Sequence, residues 1–283
     1  MKNIACPDSL LNFSHRDFLY ELLGYLENNP LDANAQIAIV NAYDIYINNR
    51  RSLESLKPVS FSPSISNEQW DSMYKSLRYR LLKRWKELLG EDNIPARCPS
   101  CGISTPTDAE HFLSRSSYRE FSLLPLNLIP WCKECNNKKG TVIADQNGVR
   151  LFLNCYWDEI DKYCFWKCDV DFIEKKVIYS VIRPSGCPDK LFRIVENHAA
   201  RLAFTTRFLK PAKEEVRKFS AATEQSARNN VSRETVNITL QSRIASCIEV
   251  QGNNHWETVL LNGIHHCLDE RQWEYIVSGS WRS

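Results

Sequence analysis

Two Cys-x-x-Cys pairs constrain this chain more than any other feature. "CPSC" runs from Cys98 to Cys101 and "CKEC" from Cys132 to Cys135, with residues 102–131 between them. Zn²⁺ takes four tetrahedral thiolate or imidazole ligands, and two such knuckles supply them without backbone strain. The intervening stretch is longer than the roughly 15–20 residues of a minimal zinc ribbon and has room for a hairpin. The chain has 11 cysteines, and "MKNIACPDSLLNFSHRDF" contains no apolar run of signal-peptide length. An odd, unevenly spread set of cysteines without a signal argues against a disulfide framework. The other seven, including Cys164, Cys168 and Cys267, are expected to be reduced and mostly buried.

Composition adds limits. With 283 residues, 43% hydrophobic and 25% charged, the chain can bury a sizeable core. A net charge of +2 does not announce a nucleic-acid binder, so any basic surface must be local. No segment approaches the roughly 20 apolar residues of a membrane span, so a cytoplasmic protein with no membrane partner is expected.

The hydrophobic periodicity predicts a mainly helical α+β chain in three parts: 1–60, 61–145 and 146–283. In the first, "SHRDFLYELLGYLEN" is a helix capped by Ser14, with Phe18, Leu19, Leu22, Leu23 and Leu26 inward and Pro30 as its stop. "DANAQIAIVNAYDIYINN" is a second, burying Ile37, Val40, Ala42, Tyr43, Ile45 and Ile47. "KPVSFSPSIS" is a boundary loop. In the second part, Ser66 and Gln69 form a capping box for a helix that ends at Gly90. Its spacing buries Trp70, Met73, Tyr74, Leu77, Leu81, Trp85 and Leu88. Lys75, Arg78, Arg80, Lys83, Arg84 and Lys86 lie along it with no acid among them: a phosphate-tracking surface or a solvated face. In the third part, "VRLFLNCYWDEI", "KYCFWKCDVDFI" and "KKVIYSVIRP" read as short strands. A long helix from Asp189, broken near Pro211, and further helices over 232–250 and 255–279 complete it. "GIHHCLDE" lacks the spacing of a second metal site, because adjacent helical residues do not share a face.

The region around the cysteines resembles the HNH endonucleases, whose zinc-bound ββα-metal (His-Me) finger reads Cys-x-x-Cys, acid-His, Asn, Cys-x-x-Cys-Asn, then Lys. This chain supplies Cys98 and Cys101, Glu110-His111, Asn127, Cys132, Cys135 and Asn136, then Lys138, Lys139 and Gly140. The match covers about fifty residues.

The resemblance implies a zinc-stapled finger at the centre of the chain, with His111 as general base toward an attacking water. Glu110 and Asn136 would hold a catalytic Mg²⁺ or Mn²⁺, since a hard cation wants oxygen donors. Asn127 would brace the loop and orient His111, and Lys139 would sit near the scissile phosphate. Lys138, Arg115, Arg119, Lys133 and Arg97 are further candidate phosphate contacts. Many family members have Asp where this chain has Glu110, and Asp108, two residues back, is an alternative ligand. Many have a second histidine where this chain has Asn136.

The expected function is a metal-dependent endonuclease acting on DNA or, second, on RNA such as tRNA. It would be restrained or delivered by a partner, for instance an ATPase in an anti-phage defence system. The competing expectation is a zinc module that binds nucleic acid or protein without catalysis.

Overall fold

The computed structural model describes residues 1–2, 6–59, 65–90 and 94–280. The chain is α+β and mostly helical, and the described residues form two small antiparallel sheets of two strands each. No helix among the described residues is long and apolar enough to cross a membrane. The chain divides into two compact units: residues 1–3, 100–104 and 159–283, and residues 4–99 and 105–158.

The unit holding residues 4–99 and 105–158 starts with α1 (Asp8–Leu11), α2 (His15–Leu23) and α3 (Ala33–Asn48). Ser14 caps α2 by accepting from Asp17 N, and Asp32 caps α3 by accepting from Ala35 N. α2 buries Phe18, Leu19, Leu22 and Leu23, but it stops at Gly24, well before Pro30. In α3 the buried set is Ala35, Ile39, Val40, Ala42, Tyr43 and Tyr46. Ile37 and Ile45, expected inside, are about half exposed, because the helix turns its tyrosines inward. Tyr46 meets the Phe121 ring edge-on at 5.1 Å.

α4 (Asn67–Leu89) forms as the capping box predicts, with both reciprocal bonds between Ser66 and Gln69. Its inner face carries Trp70, Met73, Tyr74, Leu77, Leu81, Trp85 and Leu89; Leu89 takes the place expected of Leu88. Two indoles on that face also donate hydrogen bonds, Trp70 to Ser122 Oγ at 3.2 Å and Trp85 to the Leu128 carbonyl at 3.1 Å. Then come β1 (Asp108–His111), β2 (Leu128–Trp131) and α5 (Lys133–Lys139). β1 and β2 pair with Glu110 opposite Ile129 and His111 opposite Leu128.

"VRLFLNCYWDEI" is not a strand. Beyond one isolated bridge between Ala144 and Arg150, it is an irregular, buried segment. Side chains replace the ladder there: Asn154 N donates to Asp158 Oδ2 at 2.6 Å and Tyr156 N to Asn154 Oδ1 at 3.0 Å. Buried Arg150 binds Asp158 and lies 3.8 Å from Glu54.

In the other unit, β3 (Trp166–Asp171) and β4 (Lys176–Val181) form a hairpin packed by α10 (Trp256–Cys267). A Cβ at Gly263 would stand 2.3 Å from the Cys168 carbonyl oxygen, so only glycine permits this approach. α6 (Asp189–Arg201), α7 (Phe204–Arg207) and α8 (Leu209–Arg228) follow. The helical run breaks first at Ala203, which is left-handed at φ 53°, and again at Phe208, three residues before Pro211, as expected. Pro211 sits in the first turn of α8, where a missing N–H costs nothing. Trp166, Tyr179, Phe204 and Phe208 form an aromatic cluster. α9 (Arg233–Gln251) and α11 (Glu270–Val277) complete the unit; Asp269 caps α11 and splits the expected 255–279 helix in two. Residues 100–104 are fastened here by Ser100 Oγ and His198 Nε2, 3.0 Å apart, and by His255 and Trp256 reaching the Gly102 carbonyl.

Candidate metal centre and histidine site

The four cysteines Cys98, Cys101, Cys132 and Cys135 are buried, and their sulfurs all lie within 4.8 Å of one another. Tetrahedral Zn–S bonds of ~2.3 Å require sulfurs ~3.8 Å apart, so small adjustments of this cluster suit zinc. Backbone N–H groups already point at the sulfurs: Cys132 N to Cys98 at 3.3 Å, Ile103 N to Cys101 at 3.4 Å and Cys135 N to Cys132 at 3.5 Å. Such donors stabilise thiolates, and no disulfide joins the four. Cys132 is also the N-cap of α5, so one residue both offers a ligand and starts the helix. The donor set fits a structural zinc ion.

Downstream, α5 lies over one face of β1. Strand side chains alternate, so Asp108 and Glu110 share a face and His111 leaves on the other. On the α5 side, Asn136 Nδ2 donates to Asp108 Oδ2 at 2.9 Å. Lys139 Nζ donates to Glu110 Oε1 and to the His111 carbonyl, both at 2.9 Å. Lys139 is only 4% exposed. This corrects the expectation of a lysine reaching out to a phosphate: it closes the helix onto the strand. Burial raises the Glu110 pKa and lowers that of Lys139, with each partner's charge opposing the shift.

His111 faces the opposite way. Its Nε2 lies 2.9 Å from the Ser122 carbonyl, and its ring meets Tyr74 of α4 edge-on at 5.6 Å. A carbonyl can only accept, so Nε2 carries the proton and Nδ1 keeps its lone pair. Nδ1 has no hydrogen-bond partner among the described residues. Burial lowers the His111 pKa to about 4; the Ser122 carbonyl opposes this, and the charges of Arg115, Lys139 and Arg78 reinforce it. The ring is therefore neutral at pH 7.

The side chains of Glu110, His111 and Asn136 do not bond to one another. The structure pairs Asp108 with Asn136, Glu110 with Lys139, and His111 with Ser122. For a divalent ion, the Asp108–Asn136 pair is the better oxygen set, because an ammonium already holds one oxygen of Glu110. Asn127 is fully buried: it accepts from Leu113 N at 2.8 Å and donates to the Leu113 and Phe121 carbonyls. It does not touch His111; it holds the turn whose next residue, Ser122, does.

Arg115 lies 4.4 Å from the Tyr74 ring centroid and pairs with Asp71 at 3.4 Å. Lys133, Lys138 and Arg97 are exposed, and Arg119 is half-buried. Tyr118 packs, donating to the Leu56 carbonyl. Cys168 is buried in β3, whereas Cys164 is exposed and precedes the strand, against expectation. Ser122, Tyr74 and Arg78 were not expected at the histidine. Only the helical spacing of Tyr74, which aims it inward, hinted at a role.

No family model matches this chain, and no solved structure matches it. Over 134 residues, 42% of this chain, it is 37% identical to the protein ea31 of Escherichia phage lambda. The match spans 41% of that protein, so less than half of either chain is compared.

Proposed function

We propose that this chain is a metal-dependent endonuclease of the HNH kind, with zinc as the scaffold and His111 as the general base. The observation that carries the proposal is the state of His111: neutral, fixed through Nε2–H, and with the Nδ1 lone pair unused. Arg78, Arg115 and Lys139 all act on it electrostatically. A base under the charge of Arg78 and Arg115 suits an anionic phosphodiester, where the lone pair takes a proton from water. Asp108 and Asn136 would hold one Mg²⁺ or Mn²⁺, with Glu110 joining them only by releasing Lys139. The ion would supply charge stabilisation at the phosphoryl and leaving oxygens.

The capture of Glu110 by Lys139 favours a second reading, a zinc module that binds without cutting. One assay separates the two. Supercoiled plasmid, linear duplex and tRNA are incubated with purified protein and Mg²⁺, Mn²⁺ or no added divalent ion. The nuclease reading expects cation-dependent strand breaks that disappear in His111→Ala. No cleavage of any substrate, or equal cleavage by His111→Ala, would establish the second reading.

A further inference from the structure

The outer face of α4 is unused by the candidate site. Among its exposed residues, Lys75, Tyr79 and Lys83 follow one another at four-residue spacing. A helix rises 1.5 Å per residue, so they stand at ~6 Å intervals in one row, with Lys86 beside them. Tyr79 is 76% exposed, the most exposed of the large hydrophobic residues. Lys75, Lys83 and Lys86 have no ion pair among the described residues. The nearby acids are already engaged: Glu87 and Glu21 with Arg84, Asp71 with Arg115. Among the described residues, the cations of the row are therefore free to meet an outside anion.

A second aromatic lies next to the row. Tyr25, 52% exposed, follows α2, and the Arg80 guanidinium sits 4.0 Å from its ring centroid. Tyr25, Tyr79, Arg80 and Lys83 line one open groove of about 420 Å³. A purely solvated helix face needs charges but no exposed tyrosines. A surface for duplex backbone needs cations but no ring faces either, since paired bases are hidden in the stack. Cations interleaved with exposed rings match unpaired nucleic acid, whose phosphates need the first and whose bases can stack on the second. The inner face of the same helix carries Tyr74 against His111, so the row and the histidine share one rigid element.

We propose that Lys75, Tyr79, Lys83 and Lys86, with Tyr25 and Arg80, form a binding surface for single-stranded nucleic acid. This rests on the nucleic-acid reading of the histidine site and names its substrate class.

The test is fluorescence anisotropy with a labelled 12-nucleotide single strand and the matching duplex, using full-length, zinc-loaded His111→Ala protein without Mg²⁺ or Mn²⁺. Binding is thus read without cleavage, and a failure of catalysis leaves this result intact. The single strand is expected to bind at least tenfold more tightly than the duplex. Tyr79→Ala should weaken single-strand binding about tenfold and leave the duplex nearly unchanged. Lys75→Gln with Lys83→Gln should weaken both and make the salt dependence of the single strand shallower by ~1.4 in log–log slope. All three positions are exposed, so the variants should fold; thermal melting confirms it. Preference for the duplex, no binding to either probe, or an unchanged single-strand affinity in Tyr79→Ala would overturn the proposal.

Discussion

In β3 the buried residues are Trp166, Cys168 and Val170, and Lys167 and Asp169 between them are exposed. In β1 the four residues Asp108 to His111 are all half-buried, three of them ionisable, and Asp108, Glu110 and His111 each find a polar partner. The first hairpin is an ordinary amphipathic sheet, whose α10 cover comes so close that Gly263 meets a strand carbonyl. The second places charge where apolar packing would stabilise more, and it has four cysteines beside it. β2 is apolar and buried throughout, so the polarity is confined to β1, and a zinc ion on the four cysteines would staple the two together. Where local rules for stability are broken without structural gain, a function is the usual reason.

That contrast can be broken experimentally. Removing the staple should have the largest effect. Cys132→Ser should abolish stoichiometric zinc and unfold the segment from residue 98 to 139, because a structural zinc site contributes on the order of 10 kcal/mol. Limited proteolysis and zinc analysis by mass spectrometry would show this. Cleavage within 105–139, with β3–β4 still protected, is the expected pattern; an unchanged digest with normal zinc content would refute it.

The buried charge pair comes next. Lys139→Met leaves Glu110 without its counter-ion and should destabilise by ~3 kcal/mol, whereas Glu110→Gln with Lys139→Met should recover most of the loss. Urea unfolding of the single and double variants measures the coupling. Additive losses would mean that the pair does not hold α5 on β1.

The smallest effect concerns a histidine away from both hairpins. His15 is buried beside Phe13, and burial lowers its pKa to about 4. The unfolded chain then binds the proton more readily, so stability is present above pH 6.5 and is lost as pH falls toward about 4. His15→Leu should flatten that acid limb by ~1–2 kcal/mol, read from melting temperatures between pH 7 and 4.5. A limb of the same slope in the variant would place the acid sensitivity elsewhere.

Local signals were legible in the sequence. The knuckles depend on two-residue spacers, and the capping box at Ser66 and Gln69 on a three-residue offset, so neither needs tertiary information. What failed depends on packing. "LFLNCYW" alternates no better than many strands, and only its side-chain-to-backbone bonds through Asn154 and Asp158 show that it needs no ladder. The left-handed turn at Ala203 went unseen because alanine gives no sign of it, whereas the interruption at Phe208 follows from Pro211 lacking the N–H that would bond the Arg207 carbonyl. Lys139 was expected near a phosphate from the HNH resemblance alone, and its depth appears only when α5 docks on β1.

The central claim is that zinc supports the fold while His111 performs the chemistry, so the two must separate in one sample. A single preparation of His111→Ala, assayed for zinc content and for Mg²⁺- or Mn²⁺-dependent cleavage beside the wild type, tests it. The account predicts about one zinc per chain in both proteins and at least a hundredfold slower cleavage in the variant. Equal cleavage at equal zinc content would contradict it.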